Sequence, residues 1–503
     1  LAGAFFAGAA FAAVVLAGAF LAGAFFAGAA FAAVVFAGAF LAAVVFAAAG
    51  FFTGVFLTGA FFAAGSGVSV WAAVVLAVTN KPFLTSQPAS SLGADRYNYS
   101  FRSLPRDSAQ VPQALICAGS VGGMTVPNTS YRPSPELSRV VSAIRSEVDE
   151  RTETQLDQLL IATGAIDTPL ADPSRVAVAG GKRFRALCAY VGAACALPSN
   201  KSAAALLEQA SNTPGISDLG AALEFYQACA LVHDDIIDNS PTRRGSPAAH
   251  AHFASTHREQ ELTGDAAEFG RSGAILLGDF LLAAADESLA TIAQLSPKTA
   301  PGVLAGYARM AGEVAQGQFL DMSAGHLALP SGDQENAVQA ALDVATVKSA
   351  RYSVVRPAQL GAELAGAGPK LLDELESILE PAGLAFQLRD DHLGVFGTQA
   401  DTGKPTGIDI IEGKRTVLLA LTWQAAPREE RELLRAVYDA DDANETDIAA
   451  VAEVMESRGR EPHEALINAL VEESGANLRV ASLSPGAREL LRYLTGVLTA
   501  RDS

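Results

Sequence analysis

The sequence predicts an all-α protein preceded by an apolar, low-complexity N-terminal segment. From Pro135 onward, apolar residues recur at helical spacing in one Ala- and Leu-rich segment after another. Convincing alternation of apolar and polar residues, which would indicate half-buried strands, is absent from this region. At about 370 residues, the region is long enough to bury the core of one large helical domain.

The helical spacing is clearest in the first segment. Apolar residues recur there at intervals of four, three and four residues, with charged residues between them, as in an amphipathic helix. The members of this stripe are Leu137, Val141, Ile144 and Val148. We predict further helices at approximately 176–196, 219–238, 270–295, 299–324, 338–366, 370–396, 414–423, 428–439, 446–457, 462–475 and 485–500.

Residues 1–80 carry no charge, and residues 1–20 recur as 21–40 with one change. Length and hydropathy alone would predict two to four membrane spans. However, no polar loop with basic residues occurs before Lys81, the chain begins with Leu, and near-identical repetition suggests a tandem repeat in the coding DNA. A basic n-region of a signal peptide is also missing. A mis-set start or low-complexity extension and a membrane-associated segment both stay open.

Residues 81–134 are rich in Pro, Ser, Asn and Gly without an apolar period, which predicts a linker or a disordered segment. Met124 is the first methionine, and the stretch after it leads into a helix. We therefore expect the functional protein to start near Met124. The predicted organisation is an apolar repeat over 1–80, a linker over 81–134 and one helical domain over 135–503.

Charge and cysteine usage exclude several classes. A net charge of -18 argues against a nucleic-acid partner, because phosphate binding there depends on clustered basic residues. The four cysteines show no CxxC spacing, which predicts free thiols in a reducing compartment and neither disulfides nor zinc. They are Cys117, Cys188, Cys195 and Cys229. We predict a cytoplasmic protein whose membrane contact, if any, is through residues 1–80.

The first acidic cluster is Asp234, Asp235 and Asp238 in the stretch LVHDDIIDNSPTRRG. If residues 221–238 are helical, Asp234 and Asp238 lie one turn apart on the same face. Such a pair repels itself unless a cation lies between, and Mg²⁺ prefers carboxylate oxygens while keeping positions for substrate phosphates. The alternative is a solvated, acidic helix end.

Two basic groups accompany this cluster. Pro241 ends the helix, so that Arg243 and Arg244 can fold back toward the same ligand. The motif GGKRFR precedes an apolar helical run. Its paired glycines let the backbone approach a ligand, while Lys182 and Arg185 offer a point charge and a planar fork suited to a diphosphate. Taken alone, this motif is also compatible with an ordinary basic helix start.

A second acidic cluster occurs in the stretch FQLRDDHLGVFG. Gln387, Asp390 and Asp391 are three and four residues apart and can face one cavity. Two aspartate clusters on separate apolar helices are stronger evidence than one, because such charges are costly unless something pairs them. Opposing clusters could hold several Mg²⁺ ions between them.

Further polar residues, three of them lysines, flank the second cluster in sequence. Each lysine (Lys348, Lys404 and Lys414), taken singly, is compatible with an ordinary surface position. Another polar group, Glu313, Gln318 and Asp321, lies within an otherwise apolar helix. The flanking residues are Lys348, Ser349, Lys404, Asp409 and Lys414.

Together these motifs resemble those of the trans-isoprenyl diphosphate synthases, or polyprenyl synthetases, over roughly residues 135–503. GGKRFR, LVHDDIIDNSPTRRG, GQFLD, VKSARY, FQLRDD and TGKPTGIDIIEGKRT follow in the family's order. The sequences of these motifs are especially similar to those of actinobacterial geranylgeranyl diphosphate synthases. The resemblance implies an isoprenoid synthase-type helical bundle around a deep central cavity, and a homodimer.

The resemblance also implies a reaction and its residues. Isopentenyl diphosphate is condensed head-to-tail with an allylic diphosphate, giving a trans-polyprenyl diphosphate of C20 (geranylgeranyl) or longer. Several Mg²⁺ ions, bridged by substrate diphosphate, are implied at Asp234, Asp238 and Asp390. Isopentenyl diphosphate is implied at Lys182, Arg185, Gln227 and Arg244, and the allylic diphosphate at Arg243, Lys348, Ser349, Gln387, Lys404 and Lys414. The implied catalytic residues are Asp234, Asp235, Asp238, Arg243, Lys348, Asp390 and Lys404.

Two positions depart from the family pattern. Gly394 replaces the last aspartate of the second motif, and Thr398 stands where aspartate often follows Phe-Gly. A glycine within a helix costs about 1 kcal/mol relative to alanine and removes a possible ligand. We therefore expect these departures to lower the rate of the reaction without abolishing it.

Two other functions stay open. A class I terpene cyclase would share an aspartate-rich motif, Mg²⁺ and a helical fold, but would need a different second metal motif and no GGKRxR site. A non-catalytic regulatory homologue would be expected to have eroded motifs.

The product length is expected to depend on the cavity beneath Asp234. Cys229 and Ala230, one turn earlier, are small, so that the floor lies deeper, near Tyr226 or Leu223. This favours C20 or longer over C15.

Overall fold

The computed structural model of the protein describes residues 132–329, 336–398, 406–440 and 444–499. Within these ranges the fold is helical, apart from one antiparallel pair of two-residue strands, and this confirms the predicted all-α class. The interpretations of residues 1–80 and 81–131, of Cys117 and of Lys404 fall outside the described residues.

Seventeen α-helices are defined in the described ranges, in the following order. They are α1 (Pro135–Thr163), α2 (Ala171–Val178), α3 (Phe184–Ala196), α4 (Ala203–Ala210), α5 (Ile216–Ile237), α6 (Ala249–Glu259), α7 (Ala266–Leu295), α8 (Ala300–Gly325), α9 (Ala337–Ala345), α10 (Arg356–Leu364), α11 (Pro369–Phe396), α12 (Ile408–Ile411), α13 (Val417–Ala425), α14 (Arg428–Tyr438), α15 (Glu445–Val454), α16 (Arg460–Val480) and α17 (Pro485–Thr499). A 3-10 turn (Ala165–Asp167), π-helical segments (Thr346–Val355 and Met455–Gly459) and strands β1 (Thr242–Arg243) and β2 (Ser246–Pro247) complete the list.

The first helix forms as its sequence predicts. The Ser134 hydroxyl accepts a hydrogen bond from the Leu137 N–H (3.1 Å), and Pro135 stands in the first turn, where its missing N–H costs nothing. All four residues of the predicted stripe are at most 2% exposed. The apolar face of α1 therefore packs into the core, and its helical period is set by that burial.

The predicted helix over 176–196 is wrong in its extent. Helices α2 and α3 take its place, with residues 179–183 as a loop between them. Gly180 and Gly181 have φ values of 68° and 100°, and Arg183 has 48°, which are left-handed conformations that interrupt a helix. The GGKRFR motif thus forms a loop followed by the start of a helix.

Other boundaries differ for local reasons. Helices α4 and α6 are absent from the prediction. The segments predicted at 446–457 and 462–475 form one continuous column, because π-helical turns join α15 to α16. Helix α13 begins at Val417 rather than 414, because the Thr416 hydroxyl accepts a hydrogen bond from the Leu419 N–H (3.2 Å) and caps the helix.

Helix α5 runs through the largest apolar core. Leu219, Leu223 and Phe225 are fully buried there, and α5 packs against α1, α3 and α7. Toward its C-terminal end the buried apolar residues give way to half-buried polar ones. The core thus fixes one end of α5 and directs the other, acidic end into a polar site.

The cysteines in the described part of the chain are free thiols, as predicted. Cys188 and Cys229 are buried, and Cys195 is half-buried. Among the described residues, no helix is both long enough and apolar enough to cross a membrane.

Candidate active site

The first acidic cluster lies at the C-terminal end of α5. Asp238 caps the helix, and its N–H donates to the Asp234 carbonyl (2.8 Å), so that the two carboxylates lie one turn apart as predicted. Both side chains are half-buried on one face of the helix. The pair is thus prearranged by helix geometry.

Arg243 folds back onto this cluster from the β1 strand. Its Nε donates to the Asp235 carboxylate (2.9 and 3.1 Å to the two oxygens), and its guanidinium lies 3.5 Å from Asp234 Oδ2. Asp235 is only 3% exposed, on a different face of α5 from Asp234. Arg243 therefore contacts both Asp235 and Asp234, and its hydrogen bonds go to Asp235.

Helix α8 and the π-helical segment at 346–355 form the opposite wall. Gln318 Nε2 donates to Asp234 Oδ1 (2.9 Å), and Lys348 Nζ lies 4.0 Å from the same oxygen while pairing with Asp321. A Cβ atom added to Gly317 would lie 2.7 Å from the Lys348 backbone. The glycine thus allows the close approach that brings Lys348 to the first cluster.

The second acidic cluster lines a cavity of ≈ 190 Å³ near the C-terminal end of α11. Gln387 Nε2 donates to Asp391 Oδ1 (2.8 Å), which agrees with their predicted shared face. The cavity is lined by Asp321, Ala341, Val344, Ala345, Lys348, Ser349, Gln387, Asp390, Asp391, Asp409, Lys414, Arg415, Thr416 and Val417.

Lys414 connects this cavity to the first cluster. Its Nζ lies 3.9 Å from Asp238 Oδ2 and 3.5 Å from Asp409 Oδ1, and it also pairs with Glu412. Burial lowers the pKa of Lys414, but Asp409, Glu412 and Asp238 outweigh this effect and raise it above its ordinary value. Lys348 and Lys414 thus lie between the two acidic clusters, which face one another.

Two carboxylates of the site hold protons more tightly than usual. Burial, and then the charge of Asp234, raises the pKa of Asp238 to about 6. Burial, and then the charge of Asp409, raises the pKa of Asp391 to about 8, despite the opposing effects of Gln387 and Lys414. A divalent cation would favour the charged carboxylates, so the oxygen-rich donor set fits Mg²⁺ chemically.

The GGKRFR loop lies beside the second arginine of the hairpin. Arg244 Nη1 donates to the Ala179 carbonyl (3.2 Å), and a Cβ added to Gly181 would lie 3.5 Å from Arg244 Nη2. Lys182 is exposed on the same loop. In contrast, Arg183 is buried and pairs with Glu224 of α5 (3.0 Å), which anchors the loop to that helix.

Arg185 and Gln227 meet at one tyrosine. The Arg185 guanidinium lies 4.2 Å from the centre of the Tyr352 ring and donates to the Ser353 hydroxyl (2.8 Å). The Tyr352 hydroxyl donates to Gln227 Oε1. Arg185 Nε is buried and has no hydrogen-bond partner within the described ranges. Tyr352 was not among the predicted site residues.

The aromatic residues deeper along α5 form a cluster. The Tyr226 ring packs edge-on against Tyr307 and Tyr352, with centroids 5.7 and 5.6 Å away, and its hydroxyl donates to the Ala311 carbonyl (3.2 Å). Ala230, one turn nearer to Asp234, is half-buried. Helical spacing therefore places a small residue between the acidic cluster and the aromatic cluster.

The predicted residues fall into two neighbouring groups. Gln318, Asp321, Asp409 and Glu412 contact the same charges but were not assigned roles, although polar residues in apolar segments were a signal for them. Lys404 lies outside the described residues. The first group comprises Asp234, Asp235, Asp238, Arg243, Lys348, Ser349, Gln387, Asp390 and Lys414, and the second comprises Lys182, Arg185, Gln227 and Arg244.

The sequence model of the polyprenyl synthetase family matches residues 167–455, which include both groups. The chain belongs to this family. It is a trans-isoprenyl diphosphate synthase, a transferase of prenyl groups, as the order of its motifs predicted.

Individual relatives of the synthase agree. A short chain isoprenyl diphosphate synthase of Methanothermobacter thermautotrophicus is 27% identical over 332 residues, which are 64% of this chain and 86% of the relative. A geranylfarnesyl diphosphate synthase of Aeropyrum pernix is 29% identical over 327 residues, covering 64% of this chain and 91% of the relative. A solved geranylgeranyl pyrophosphate synthase of Corynebacterium glutamicum, complexed with isoprenyl diphosphate and magnesium, is 36% identical with a TM-score of 0.63, covering 73% of this chain and 99% of that chain.

Proposed function

We propose that the synthase condenses isopentenyl diphosphate with an allylic diphosphate in a Mg²⁺-dependent reaction, giving a trans-polyprenyl diphosphate of C20 or longer. The observation that carries the proposal is the pairing of two acidic clusters across Lys348 and Lys414, which lie 4.0 Å from Asp234 and 3.9 Å from Asp238. This arrangement of charge suits a diphosphate. The lysines can bind the diphosphate directly, and the carboxylates can bind the Mg²⁺ ions that accompany it.

Binding of Mg²⁺ is assigned to Asp234, Asp238 and Asp390. Among the described residues, no three carboxylate, imidazole or thiol groups are gathered closely enough to hold an ion. We propose that the substrate diphosphate supplies further ligands, since Mg²⁺ is usually bound through one or two carboxylates plus substrate phosphates. Bound Mg²⁺ would neutralise charge on the departing diphosphate.

The allylic diphosphate is assigned to the cavity between the clusters. The bond between its C1 and the diphosphate oxygen breaks, and the electron pair leaves with the diphosphate. The developing negative charge is stabilised by basic side chains that carboxylates already hold in position. Arg243 is one of these side chains, and Asp235 positions it by accepting its hydrogen bonds. The assigned residues are Arg243, Lys348, Ser349, Gln387, Lys404 and Lys414.

Isopentenyl diphosphate is assigned to the group around the GGKRFR loop. Lys182, Arg185 and Arg244 bind its diphosphate, while Gln227 lines the adjacent face of α5. The double bond of isopentenyl diphosphate donates its electrons through C4 to the allylic cation, which forms the new carbon–carbon bond. A proton then passes from C2 of that unit to the departed diphosphate. Apolar walls protect the cation from water.

Two alternatives are less well supported. A class I terpene cyclase has no use for a second diphosphate site, whereas the GGKRFR motif is present here with Arg244 beside its loop, where Arg244 donates to the Ala179 carbonyl. A regulatory homologue would not need the intact set of cations and carboxylates. A cytoplasmic location remains a prediction from the sequence.

The proposal is tested by product analysis. The protein is incubated with isopentenyl diphosphate, Mg²⁺ and, separately, C5, C10 and C15 allylic diphosphates, and the prenyl alcohols are separated after dephosphorylation. We expect Mg²⁺-dependent condensation and a main product of C20 or longer. Absence of condensation with all three primers would overturn the proposal, and a C15 end product would overturn the assigned length.

Replacement of Arg185 by lysine is expected to raise the KM for isopentenyl diphosphate about tenfold, with little change in the KM for the allylic substrate. Lysine keeps the charge but loses the planar fork and its stacking on Tyr352. Steady-state kinetics with each substrate varied in turn measure the effect. Arg271→Lys, at an exposed position of α7, is the control. Equal changes for both substrates would contradict the assignment of Arg185 to one site.

A homodimer is also proposed, because apolar side chains are exposed on the surface of the described residues, and exposed apolar patches mark interaction sites. Large apolar side chains are exposed on two long helices, among them Ile275 (46%) and Leu276 (63%) on α7, and Phe319 (61%) and Met322 (38%) on α8. Leu276→Asp is expected to shift the protein toward the monomer in light scattering after size exclusion. A monomeric unsubstituted protein would exclude the dimer.

A further inference from the structure

Glu313 is a polar residue of α8 that the proposed mechanism does not use. It accepts two hydrogen bonds from the Arg356 guanidinium (2.8 Å each), and its Oε1 lies 4.0 Å from Arg351 Nη1. Arg351 lies within the π-helical segment at 346–355, and Arg356 begins α10 directly after it. Ion pairs thus join α8 to the segment that also carries Lys348.

Arg351 joins the same segment to helix α11. Its Nε donates to Glu380 Oε2 (2.7 Å), and its Nη2 lies 3.9 Å from Glu376 Oε1. The side chains of Arg351 and Glu380 are only 15% and 12% exposed, so water and salt screen this pair much less than a surface pair. Carboxylates from two helices therefore contact one guanidinium.

The backbone of Arg351 takes part in the π-helical hydrogen bonding. The Arg356 N–H donates to the Arg351 carbonyl, which lies five residues back rather than the four of an α-helix. Turns of this kind are rare and are frequently found at functional sites. The two arginines that pair with the carboxylates therefore also form the last π-helical turn.

The neighbours of Arg351 in the segment reach the two proposed diphosphate sites. Lys348 Nζ lies 4.0 Å from Asp234 Oδ1 in the first site. The Arg185 guanidinium lies 4.2 Å from the ring centre of Tyr352 in the second. Because Lys348 and Tyr352 belong to one helical segment, a rotation of that segment about its axis moves both side chains together. The contacts of Arg351 with α8 and α11 oppose such a rotation.

We propose that Arg351 is a positioning residue for both diphosphate sites, and that its contacts with Glu313, Glu376 and Glu380 hold Lys348 and Tyr352 in their binding positions. The inference rests on the proposed function, because it takes Lys348 and Tyr352 as parts of substrate sites. Arg351 acts through these two residues and not on a substrate. Its loss therefore impairs the use of both substrates together.

The test is steady-state kinetics of condensation with each substrate varied in turn, with the melting temperature recorded in parallel. Arg351→Gln removes the charge and is expected to lower kcat/KM by about 10²-fold for both substrates, as misplaced binding groups do. Arg351→Lys keeps the charge but loses the planar fork that contacts two helices, and is expected to lower both values by only about tenfold.

Arg356→Gln is the matched control, because Arg356 pairs with two of the same carboxylates, Glu313 and Glu376, but lies beyond the segment at the start of α10. It is expected to lower the melting temperature while leaving kcat/KM unaltered for both substrates. Equal kinetic losses in Arg356→Gln and Arg351→Gln would overturn the inference, since the ion pairs would then support only the fold as a whole.

Two further results for Arg351→Gln would overturn the inference: unaltered kinetics, and a loss confined to one substrate. If this variant does not fold, Arg351→Lys decides in its place. An equal fall in kcat/KM for both substrates would then support the role of Arg351, and unaltered values would exclude it.

Failure of the proposed function is distinguished by the unsubstituted protein. No condensation product from it would overturn the proposed function and, with it, this inference. Condensation by the unsubstituted protein, together with unaltered kinetics of the Arg351 variants, would overturn only the role of Arg351.

Discussion

Replacement of Asp234 by asparagine is expected to lower kcat/KM for condensation by at least about 10³-fold, which corresponds to about 4 kcal/mol of transition-state stabilisation. Three polar side chains lie close to the Asp234 carboxylate. Gln318 donates a hydrogen bond to it (2.9 Å), and the Arg243 guanidinium and Lys348 Nζ lie 3.5 and 4.0 Å away. Asparagine retains an oxygen that can accept from Gln318, but it removes the charge that Mg²⁺ prefers.

The measurement is the initial rate of condensation as a function of Mg²⁺ concentration, with the melting temperature recorded in parallel. Asp373→Asn provides the same chemical change at an exposed position of α11 and should leave the rate unaltered. A rate for Asp234→Asn within about threefold of the unsubstituted enzyme would remove this residue from the metal assignment, since one lost charge contact in a transition state typically costs far more.

Replacement of Ala230 by phenylalanine is expected to shorten the main product by at least one C5 unit. Ala230 lies four residues before Asp234, hence on the same face of α5, and is half-buried. A benzyl group there would occupy the space through which a growing prenyl chain passes toward Tyr226. The chain would then stop before it reaches the aromatic cluster.

Chromatography of the dephosphorylated products measures this effect. Ala162→Phe, at an exposed position of α1, is the control for the added aromatic side chain and should leave the product unchanged. A product of unaltered length from Ala230→Phe, with normal folding, would mean that the chain grows along another path. The product length would then be set by residues outside α5.

The two acidic clusters could be predicted from the sequence because each is held by one helix. Helical spacing brings Asp234 to Asp238, and Gln387 to Asp391, whatever the rest of the fold does. The same holds for the buried stripe of α1. These predictions depend on local geometry, and the motif order was specific enough to give the family and the fold.

Other contacts were not predictable, since they join elements that are distant along the chain. The hydrogen bond from Tyr352 to Gln227 spans 125 residues, and the one from Gln318 to Asp234 spans 84. The sequence showed that Gly394 lacks a carboxylate, but it did not show that Asp409 of α12 lies against this glycine. No periodicity in α11 indicates that Asp409 approaches it.

The π-helical segment at 346–355 has a consequence for tolerance to insertion and deletion. Lys348 near its start contacts the first acidic cluster, while Tyr352 contacts Arg185 and Gln227. Loss of one residue between them would turn one side chain relative to the other about the helix axis, because each residue of a helix rotates the chain by a fixed angle. The two proposed diphosphate sites thus share one segment, and a change in its length is expected to disturb the alignment of one site relative to the other.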